Sequence, residues 1–382
     1  MQDNQYKAPD GGEKSIINDL NKREDADALR MKRYLSMPDL SRTLGSPIKA
    51  LIDKVKAIEN FKDFEDIKIP EIVPVDISFD LFDFPADHPT RSKSDTYYVD
   101  DKNILRTQTT VSWYYYLTSE SGKEKIKNNK PIGVLSYGKV YRKDEIDRNH
   151  MNVFHQIDGW YIVPKEKGVI VVKDLENILI KITQAIFGEK IKYRLNPDTF
   201  PYTNPSLEME INKGGYWVEV LGCGMIKGSV LEKLGVDSKN YTGWAFGFGL
   251  ERLAMISMEL PDIRLLWSED QRVKKQLKLG NKYKEVSKYP PIVRDISFIV
   301  DTNFVPNNYF DLIREVIGED LAEEVKLIDK YEDKQKFGKN KVSYAFRIIY
   351  RSLDRTLTNA EVDIMHKKLE KETTKVFLAN VR

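Results

Sequence analysis

Large and small residues alternate with a period of two over residues 243–252, and this is the clearest pattern in the chain. Consecutive strand residues point to opposite faces, so the segment predicts a strand with one large apolar face and one small face. The large face is formed by Trp244, Phe246, Phe248 and Leu250, and the small face by Gly243, Ala245, Gly247 and Gly249. Glycine has nothing to pack in a strand, so the small face indicates close approach of a ligand to the backbone.

An arginine follows this strand directly. Glu251 and Arg252 open the apolar run Leu253-Ala254-Met255-Ile256, which is typical of a helix start. A helix N-terminus and an arginine both favour anions. We therefore expect a flat or apolar ligand portion on the strand and an anionic portion at its end.

Helical and strand periodicities alternate through the rest of the first 270 residues. Ser46-Pro47 begins a helix, since proline suits the first turn, and its apolar positions recur at helical spacing up to Ile58. Strands at about 132–143 and 153–163 flank a charged stretch and predict a long hairpin. Further helices are predicted at about 105–118 and 174–187, strand material at 67–70 and 79–84, and strands at 191–195, 207–212 and 216–221. Short connections make the sheet mostly antiparallel.

The C-terminal region has its own order of elements. A strand at 292–300 is followed by a helix at 308–317, strands at 323–331 and 341–350, and a helix at 358–372. With the apolar stretch at the end of the chain, this is the βαββαβ order of a ferredoxin-like domain. The expected α+β organisation is an N-terminal tail or accessory helices (1–45), a larger domain with a mostly antiparallel sheet flanked by helices (46–269), a linker (270–288) and a ferredoxin-like domain (289–382).

Composition narrows the class of protein. Of 382 residues, 41% are hydrophobic and 31% charged, and the net charge of +2 does not by itself indicate nucleic acid. No apolar run approaches the roughly 20 residues of a membrane span. The single Cys223 excludes an internal disulfide and reads as a buried filler, and the four scattered histidines predict no structural zinc site. The N-terminus resembles neither a signal nor a transit peptide, so we expect a cytoplasmic protein, with a mature organellar form as the alternative.

The predicted hairpin carries a set of ligand-binding side chains. Alternation places Gly138, Val140, Arg142 and Asp144 on one face of the first strand, and Phe154, Gln156 and Asp158 on one face of the second. If these faces coincide, an arginine for phosphate or carboxylate lies beside an aromatic ring, an amide and two carboxylates. Arg148 and His150 in the loop add donors for a polyphosphate. The alternative is a surface hairpin with solvated charges.

The chain contains no Gly-x-x-x-x-Gly-Lys-Ser/Thr loop and no complete dinucleotide fingerprint. Two arginines, a purine-stacking Phe and a glycine floor instead indicate activation of a carboxylate by ATP. Arg142 can neutralise the α-phosphate and Arg252 can hold the tail phosphates. Glu210 and Glu219, on neighbouring predicted strands, are the candidate ligands for Mg²⁺, and an ion-paired surface role is the alternative for each.

These residues resemble the class II aminoacyl-tRNA synthetases, and among them the single-chain phenylalanyl-tRNA synthetases of mitochondrial type. The resemblance runs from about residue 46 to 382. Its three class II motifs are Phe79-Asp80-Leu81 through Asp87-His88-Pro89-Thr90-Arg91, Val140-Tyr141-Arg142 through Phe154-His155-Gln156-Ile157-Asp158-Gly159, and Gly247-Phe248-Gly249-Leu250-Glu251-Arg252-Leu253. Further matching stretches are Phe200-Pro201-Tyr202-Thr203-Asn204-Pro205-Ser206, Leu221-Gly222-Cys223-Gly224, Lys288-Tyr289-Pro290 through Arg294-Asp295-Ile296-Ser297, and Asp354-Arg355-Thr356-Leu357-Thr358.

The resemblance implies that phenylalanine and ATP form phenylalanyl-adenylate, and that the acyl group passes to the 2′-hydroxyl of the terminal adenosine of tRNA(Phe), without editing in cis. By position, it implies ATP contacts from Arg142, Asp144, His150, Phe154, Gly249 and Arg252. Phenylalanine contacts are implied for Gln108, Thr110, Gln156, Asp158, Phe200, Tyr202, Ala245 and Gly247. Single-chain relatives imply a monomer. Activation by ATP implies Mg²⁺ as a cofactor, and the lack of a long apolar run predicts no membrane partner.

Some positions depart from the family pattern. Where the family commonly has His or Gln, then Thr, Ser and, three residues on, Gln, this chain reads Gln108-Thr109-Thr110-Val111-Ser112-Trp113. Tyr202 stands where Phe is usual. Asp144 and Asp158 stand where Glu is frequent.

For tRNA, the informative segment is 334–355, in which seven basic residues and four aromatic residues interleave with one acid. This composition suits phosphate contacts and base stacking, and Lys339, Lys341, Arg347 and Arg351 are the expected tRNA contacts. A basic edge strand that resists aggregation is the alternative. Two other functions also fit the chain: a synthetase-like RNA-binding protein without catalysis, and an enzyme of the same fold for another amino acid.

Overall fold

The computed structural model describes residues 6–8, 12–285, 289–318 and 320–382, which form two compact units. Unit 1 comprises Met1–Arg142, Val153–Leu260 and Leu277–Lys282, and unit 2 comprises Lys143–Asn152, Pro261–Gln276 and Tyr283–Arg382. Parts of the expected tail (1–5 and 9–11) and linker (286–288) lie outside the described residues. Within the described part of the chain, no helix is long and apolar enough to cross a bilayer.

The helices of unit 1 follow the predicted apolar spacing closely. The helix expected after Ser46 begins at Pro47, and the Ser46 hydroxyl caps it by accepting from the Ile48 amide at 3.1 Å. Two helices also form in the N-terminal segment 1–45. The bounds are α1 Glu13–Lys22, α2 Ala26–Ser36, α3 Pro47–Lys56, α4 Val75–Ser78, α5 Ser112–Leu117, α6 Glu120–Lys127, α7 Val172–Phe187, α8 Gly228–Lys233 and α9 Leu250–Met258.

The strands of unit 1 form one large sheet and a two-stranded ribbon. Their bounds are β1 Tyr6–Lys7, β2 Glu65–Lys68, β3 Ile72–Pro74, β4 Asn103–Leu105, β5 Ile132–Tyr141, β6 Val153–Pro164, β7 Tyr193–Asp198, β8 Thr203–Lys213, β9 Tyr216–Ile226 and β10 Tyr241–Gly249. The large sheet has the order β1-β2-β5-β6-β10-β9-β8-β7, and β3 pairs with β4. Only the β1–β2 and β2–β5 pairs of the described sheet are parallel, so the expected mostly antiparallel sheet is confirmed.

Two local predictions for unit 1 were wrong. Residues 79–84 are turns instead of strand, because Phe79 and Phe82 turn inward and are fully buried while Asp83 takes a left-handed conformation (φ 59°). The aromatic helix expected at about 105–118 is shorter, since residues 103–105 form β4 and α5 begins only at Ser112. In both segments, the burial of aromatic rings determines the backbone conformation. The presence of aromatic residues in the sequence does not by itself distinguish a helix from a turn.

Unit 2 has the predicted ferredoxin-like order. It contains the short helix α10 Gln271–Lys274, then β11 Ile292–Asp301, α11 Pro306–Ile317, β12 Ala322–Tyr331, β13 Lys341–Tyr350, α12 Asn359–Phe377 and β14 Asn380–Val381. Its sheet has the order β12-β13-β11-β14. Alternate residues of β13 are buried in a core with Phe298 and Tyr309, as the period-two pattern requires.

A contact in the large sheet explains why residue 159 must be glycine. A Cβ atom there would lie 2.3 Å from the ring tip of Phe246, which is buried on β10 opposite Gly159. At Gly249, by contrast, an added Cβ meets no atom within 4 Å, and φ is −75°, which any residue adopts.

We predict that Gly159→Ala destabilises unit 1 by about 1–3 kcal/mol, since the extra methyl overpacks the core. The matched variant Gly249→Ala should change the free energy of unfolding by less than about 0.5 kcal/mol. Urea unfolding followed by tryptophan fluorescence measures both. Equal stability of the two variants would show that Phe246 does not pack over residue 159.

Candidate active site

The small face of β10 divides into a packed part and an open part. A Cβ at Gly243 would lie 2.3 Å from the Tyr161 carbonyl oxygen, so this glycine permits close packing of the strands. At Gly247 the nearest atom to an added Cβ is 3.5 Å away, and at Gly249 there is none within 4 Å. The opposite face is buried as predicted, with Trp244, Phe246 and Phe248 stacked in a row. The open floor for a ligand is therefore the end of the strand, at residues 247 and 249.

The faces of the predicted hairpin coincide. In the register of β5 with β6, Val140 pairs with Phe154, Gly138 with Gln156, and Ser136 with Asp158. Directly opposed residues of an antiparallel pair share one face of the sheet. On the other side of β6, Gly247 pairs with Asp158 and Gly249 with Gln156. The glycine floor and the polar residues of β6 consequently lie side by side.

Arg142 and Phe154 are neighbours at the end of this hairpin. The guanidinium carbon of Arg142 lies 5.3 Å from the ring centroid of Phe154, within the range of a cation–π contact. The Nε of Arg142 donates to the Thr107 carbonyl oxygen at 3.0 Å, which fixes the side chain. A ring beside a positioned guanidinium suits a purine and its phosphate.

Arg252 lies at the first turn of α9 and is half exposed. Its Nη1 is 3.4 Å from Oε2 of Glu219, which pairs across the strands with Glu210. Arg194 and Asn196 donate to Glu210, and the hydrogen bond from Arg194 lowers the pKa of that carboxyl. Two carboxylates on one face beside an arginine fit Mg²⁺, which proteins bind through one or two carboxylates together with substrate phosphates. No group of three or more metal-ligating side chains occurs among the described residues.

A buried pair ties α9 to β6, and the sequence did not predict it. The Glu251 carboxylate accepts from the backbone N–H of His155 at 2.8 Å and lies 2.6 Å from its Nδ1. The other ring nitrogen, Nε2, accepts from the Leu40 amide at 2.9 Å. Glu251 thereby orders the strand between Phe154 and Gln156. The adjacent Glu-Arg pair at the helix start was the sequence feature that could have indicated this role.

Asp144 and His150 belong to the segment Lys143–Asn152 of unit 2. The His150 Nδ1 lies 2.9 Å from both carboxylate oxygens of Asp147. The Asp144 carbonyl oxygen accepts from Arg314 at 3.1 Å. Their implied contacts with ATP therefore remain predictions.

Asp158 is the most unusual ionisable group of the site. It is buried, and its two oxygens accept hydrogen bonds from Thr110 Oγ1 at 2.9 Å and Trp113 Nε1 at 3.0 Å. Burial raises the pKa of Asp158 to about 7, while the bonds from Trp113 and Thr110 act in the opposite direction. Trp113 is thus a second functional residue that the sequence did not predict. Thr110 precedes α5 and Trp113 lies in its first turn, so one short segment supplies both donors.

Two further amides lie near this carboxylate with other partners. Gln156 Oε1 accepts from the Thr109 amide at 3.4 Å. Gln108 Nε2 donates to the Ser78 carbonyl oxygen at a long 3.5 Å. Gln156 stays on the face of Asp158, and Gln108 is engaged with the C-terminal end of α4 at Ser78.

An aromatic wall completes the site. The rings of Phe200 and Tyr202 are stacked with centroids 6.1 Å apart, and the tip of Phe200 lies over Gly222. Burial raises the pKa of the Tyr202 phenol to about 12, so it stays neutral. Gly222 pairs with Gly247 on β10, and the buried Ala245, two residues earlier on that strand, pairs with Gly224. Aromatic rings, small residues and one carboxylate suit an amino acid with an aromatic side chain.

Comparison with known proteins agrees with this geometry. The model of the tRNA synthetases class II core domain (F) matches residues 35–277, and that of the ferredoxin-fold anticodon binding domain matches residues 287–382. The chain belongs to the class II tRNA synthetase family. Its second match accounts for the ferredoxin-like part of unit 2.

Curated relatives of this class II synthetase include both organellar and bacterial proteins. The Arabidopsis thaliana "Phenylalanine--tRNA ligase, chloroplastic/mitochondrial" is 38% identical over 84% of this chain and 73% of that protein. The Drosophila melanogaster "Probable phenylalanine--tRNA ligase, mitochondrial" is 36% identical over 81% and 77%. The Clostridium novyi "Phenylalanine--tRNA ligase alpha subunit" is 36% identical over 68% of this chain and 77% of that protein.

Three of the four basic residues expected to bind tRNA form ion pairs within unit 2. Lys341 lies 3.0 Å from Asp301, and Arg347 donates to both oxygens of Asp295 at 2.8 and 2.7 Å. Arg351 donates to Glu323 at 2.7 Å. Lys339 is exposed in the turn before β13. Of the four, Lys339 is the residue best suited to test RNA binding without disturbing a resolved pair.

The remaining sequence prediction for this class II core concerns Cys223. It is buried, its thiol donates to the Leu207 carbonyl oxygen at 3.3 Å, and burial raises its pKa to about 12. A neutral, buried thiol is a poor nucleophile and a poor metal ligand. The prediction of a small buried filler is confirmed.

Proposed function

We propose that this chain is a phenylalanine–tRNA ligase. The observation that carries the proposal is one surface of unit 1 on which β6 and β10 place Phe154, Asp158 and the open Gly247 side by side. Arg142 contacts Phe154 at one end of this surface, and the wall of Phe200 and Tyr202 provides the aromatic side. The names of the relatives support the same substrate class.

The first step activates phenylalanine. An oxygen of the substrate carboxylate attacks the α-phosphorus of ATP, and the bond to the leaving pyrophosphate breaks. Arg142 neutralises charge that develops on the α-phosphate, Phe154 stacks on the adenine, and Arg252 holds the leaving phosphates. Glu210 and Glu219 would hold Mg²⁺, which would supply charge neutralisation at the phosphates when bound. Asp144, His150 and Gly249 complete the proposed ATP contacts.

The second step transfers the acyl group. The 2′-hydroxyl of the terminal tRNA adenosine attacks the carbonyl carbon of the adenylate, and AMP leaves. Gln108, Thr110, Gln156 and Asp158 orient the amino acid, while Ala245 lies at the ring end of the pocket.

We propose that the protein acts as a monomer. The relatives carry organellar names, which do not support the cytoplasmic expectation and favour the organellar alternative.

ATP–pyrophosphate exchange with a panel of amino acids tests this function. We expect exchange with phenylalanine, and a loss of about 10²-fold or more in kcat for Arg142→Ala, because an arginine aimed at the developing charge is lost. The control is Arg272→Ala, an exposed arginine paired with its neighbour Asp270, which should retain full exchange. Exchange only with another amino acid would indicate a ligase for that amino acid. The absence of any exchange would indicate a protein that binds RNA without catalysis.

We further propose that the anticodon-type surface of unit 2 contacts tRNA(Phe). Lys339→Glu should raise the KM for tRNA by roughly fivefold, which corresponds to about 1 kcal/mol, because a phosphate contact becomes repulsive. ATP–pyrophosphate exchange should be unchanged. The matched control is Lys239→Glu, an exposed lysine of unit 1. A loss of exchange in Lys339→Glu, or an equal rise in KM in the control, would contradict the assignment.

Finally, we propose that the chain does not proofread its own product. An apolar pocket rejects an added hydroxyl by only about 10²-fold, so tyrosine is the competitor to test. Preformed tyrosyl-tRNA(Phe) should persist in the presence of the pure protein as long as in buffer. Accelerated release of tyrosine would show an editing activity.

A further inference from the structure

Two donors from one short segment hold both oxygens of the buried Asp158 carboxylate. Thr110 Oγ1 binds Oδ2 and Trp113 Nε1 binds Oδ1. The Trp113 side chain is itself fixed, since it is 1% exposed and packs edge-on against Phe82 and Tyr202. The carboxylate therefore has a single orientation within this part of unit 1.

The identity of residue 113 changes what the site can offer a substrate. An amide side chain, as in the related pattern, carries both a donor and an acceptor, whereas an indole carries one donor and no acceptor. Trp113 cannot accept a hydrogen bond from a substrate ammonium group. A carboxylate has about four acceptor positions, of which the two protein bonds use two. Among the proposed amino-acid contacts, Asp158 is thus the charged acceptor for that ammonium group.

The free side of the carboxylate faces Gly247. An added Cβ at Gly247 would lie 3.5 Å from Oδ2 of Asp158, so the absent side chain leaves space beside this oxygen. The two residues are directly paired across β6 and β10. This space is open floor on the proposed substrate surface.

We propose that Trp113 is a positioning residue that fixes the Asp158 carboxylate toward Gly247, so that the site selects amino acids by the charge of their α-ammonium group. The proposal rests on the proposed function and deepens it. Such a site distinguishes α-amino acids from α-hydroxy acids of the same shape, since a hydroxyl group carries no charge to pair with Asp158.

The surroundings of Asp158 define the expected pH dependence. Thr110, just before α5, and Trp113, within α5, donate hydrogen bonds to the Asp158 carboxylate. Ser136 on β5 and Gly247 on β10 are the residues directly paired with Asp158. Tyr202 is the titratable group with an electrostatic effect across this space, and Arg142 acts on Tyr202 in turn. Since Tyr202 stays neutral and Arg142 stays charged, Asp158 is the group that titrates near neutral pH.

The sign of the effect follows from the hydrogen bonds. Burial raises the pKa of Asp158 to about 7, and donation from Trp113 and then Thr110 limits that rise. Removal of the Trp113 donor must raise the pKa further, because an indole N–H stabilises the charged form. When the pH is lowered, the variant without the Trp113 donor should therefore lose ammonium binding at a higher pH than the unmodified protein does.

The test measures kcat/KM for phenylalanine in ATP–pyrophosphate exchange as a function of pH. In Trp113→Phe, the acidic limb should move to higher pH by roughly one unit, the value of a hydrogen bond to a charged group. At neutral pH the KM for phenylalanine should rise by about fivefold, because the ionised fraction of Asp158 falls by that factor, while kcat and the KM for ATP change little. Trp160→Phe is the matched control, since Trp160 is fully buried against Trp113 but its Nε1 has no partner among the described residues. Its acidic limb should not move.

A second measurement uses the unmodified protein. Phenyllactate, the α-hydroxy analogue, should inhibit more strongly as pH falls, because protonated Asp158 tolerates a neutral hydroxyl, while the KM for phenylalanine rises over the same range. If Trp113→Phe does not fold, Thr110→Val removes the other donor and should move the limb in the same direction. Identical profiles for Trp113→Phe and Trp160→Phe, or parallel pH trends for phenyllactate and phenylalanine, overturn the inference. Absence of phenylalanine exchange in the unmodified protein instead overturns the proposed function.

Discussion

The register of β6 with its two neighbours is the constraint on which the rest of the candidate site depends. One pairing sets Phe154 beside the end of β5, and the other sets Asp158 against Gly247. A slip of one residue would turn every side chain of β6 to the opposite face. The register is fixed because the same strand buries Ile157 on the opposite face and leaves room there at Gly159 for Phe246. Packing on one side of the sheet thereby specifies chemistry on the other.

Glu251 stabilises that register at the end of the hairpin where the two strands separate. Beyond Val153 the two strands of the hairpin separate, so the backbone near Phe154 needs another support. The buried carboxylate of Glu251 accepts from the His155 backbone and ring, and the ring accepts from Leu40. A buried carboxylate is tolerated only when hydrogen bonds replace its hydration, and here those bonds come from the strand it orders. The same helical turn carries Arg252, so one interaction positions both Phe154 and Arg252.

The surroundings of Asp158 combine an apolar environment with directed hydrogen bonds, which have opposite effects on the charged carboxylate. Phe200, Tyr202 and Ala245 make an apolar space, which raises the cost of the charged Asp158. Thr110 and Trp113 offset this cost with two directed hydrogen bonds. An aromatic side chain and a charged amino group can therefore be bound within one small volume, and a bulky indole replaces an amide without leaving the carboxylate unpartnered.

The sequence by itself determined the period-two strand at 243–249, the hairpin with its shared face, and the βαββαβ order of unit 2, because alternation and turn spacing are local properties. It also indicated Arg142, Phe154 and Asp158 as one surface. Only the tertiary structure decided that residues 79–84 turn, that Glu251 binds His155, and that Trp113 binds Asp158. These outcomes depend on which distant side chains compete for the same buried space and the same lone pairs, and that competition has no periodicity along the chain.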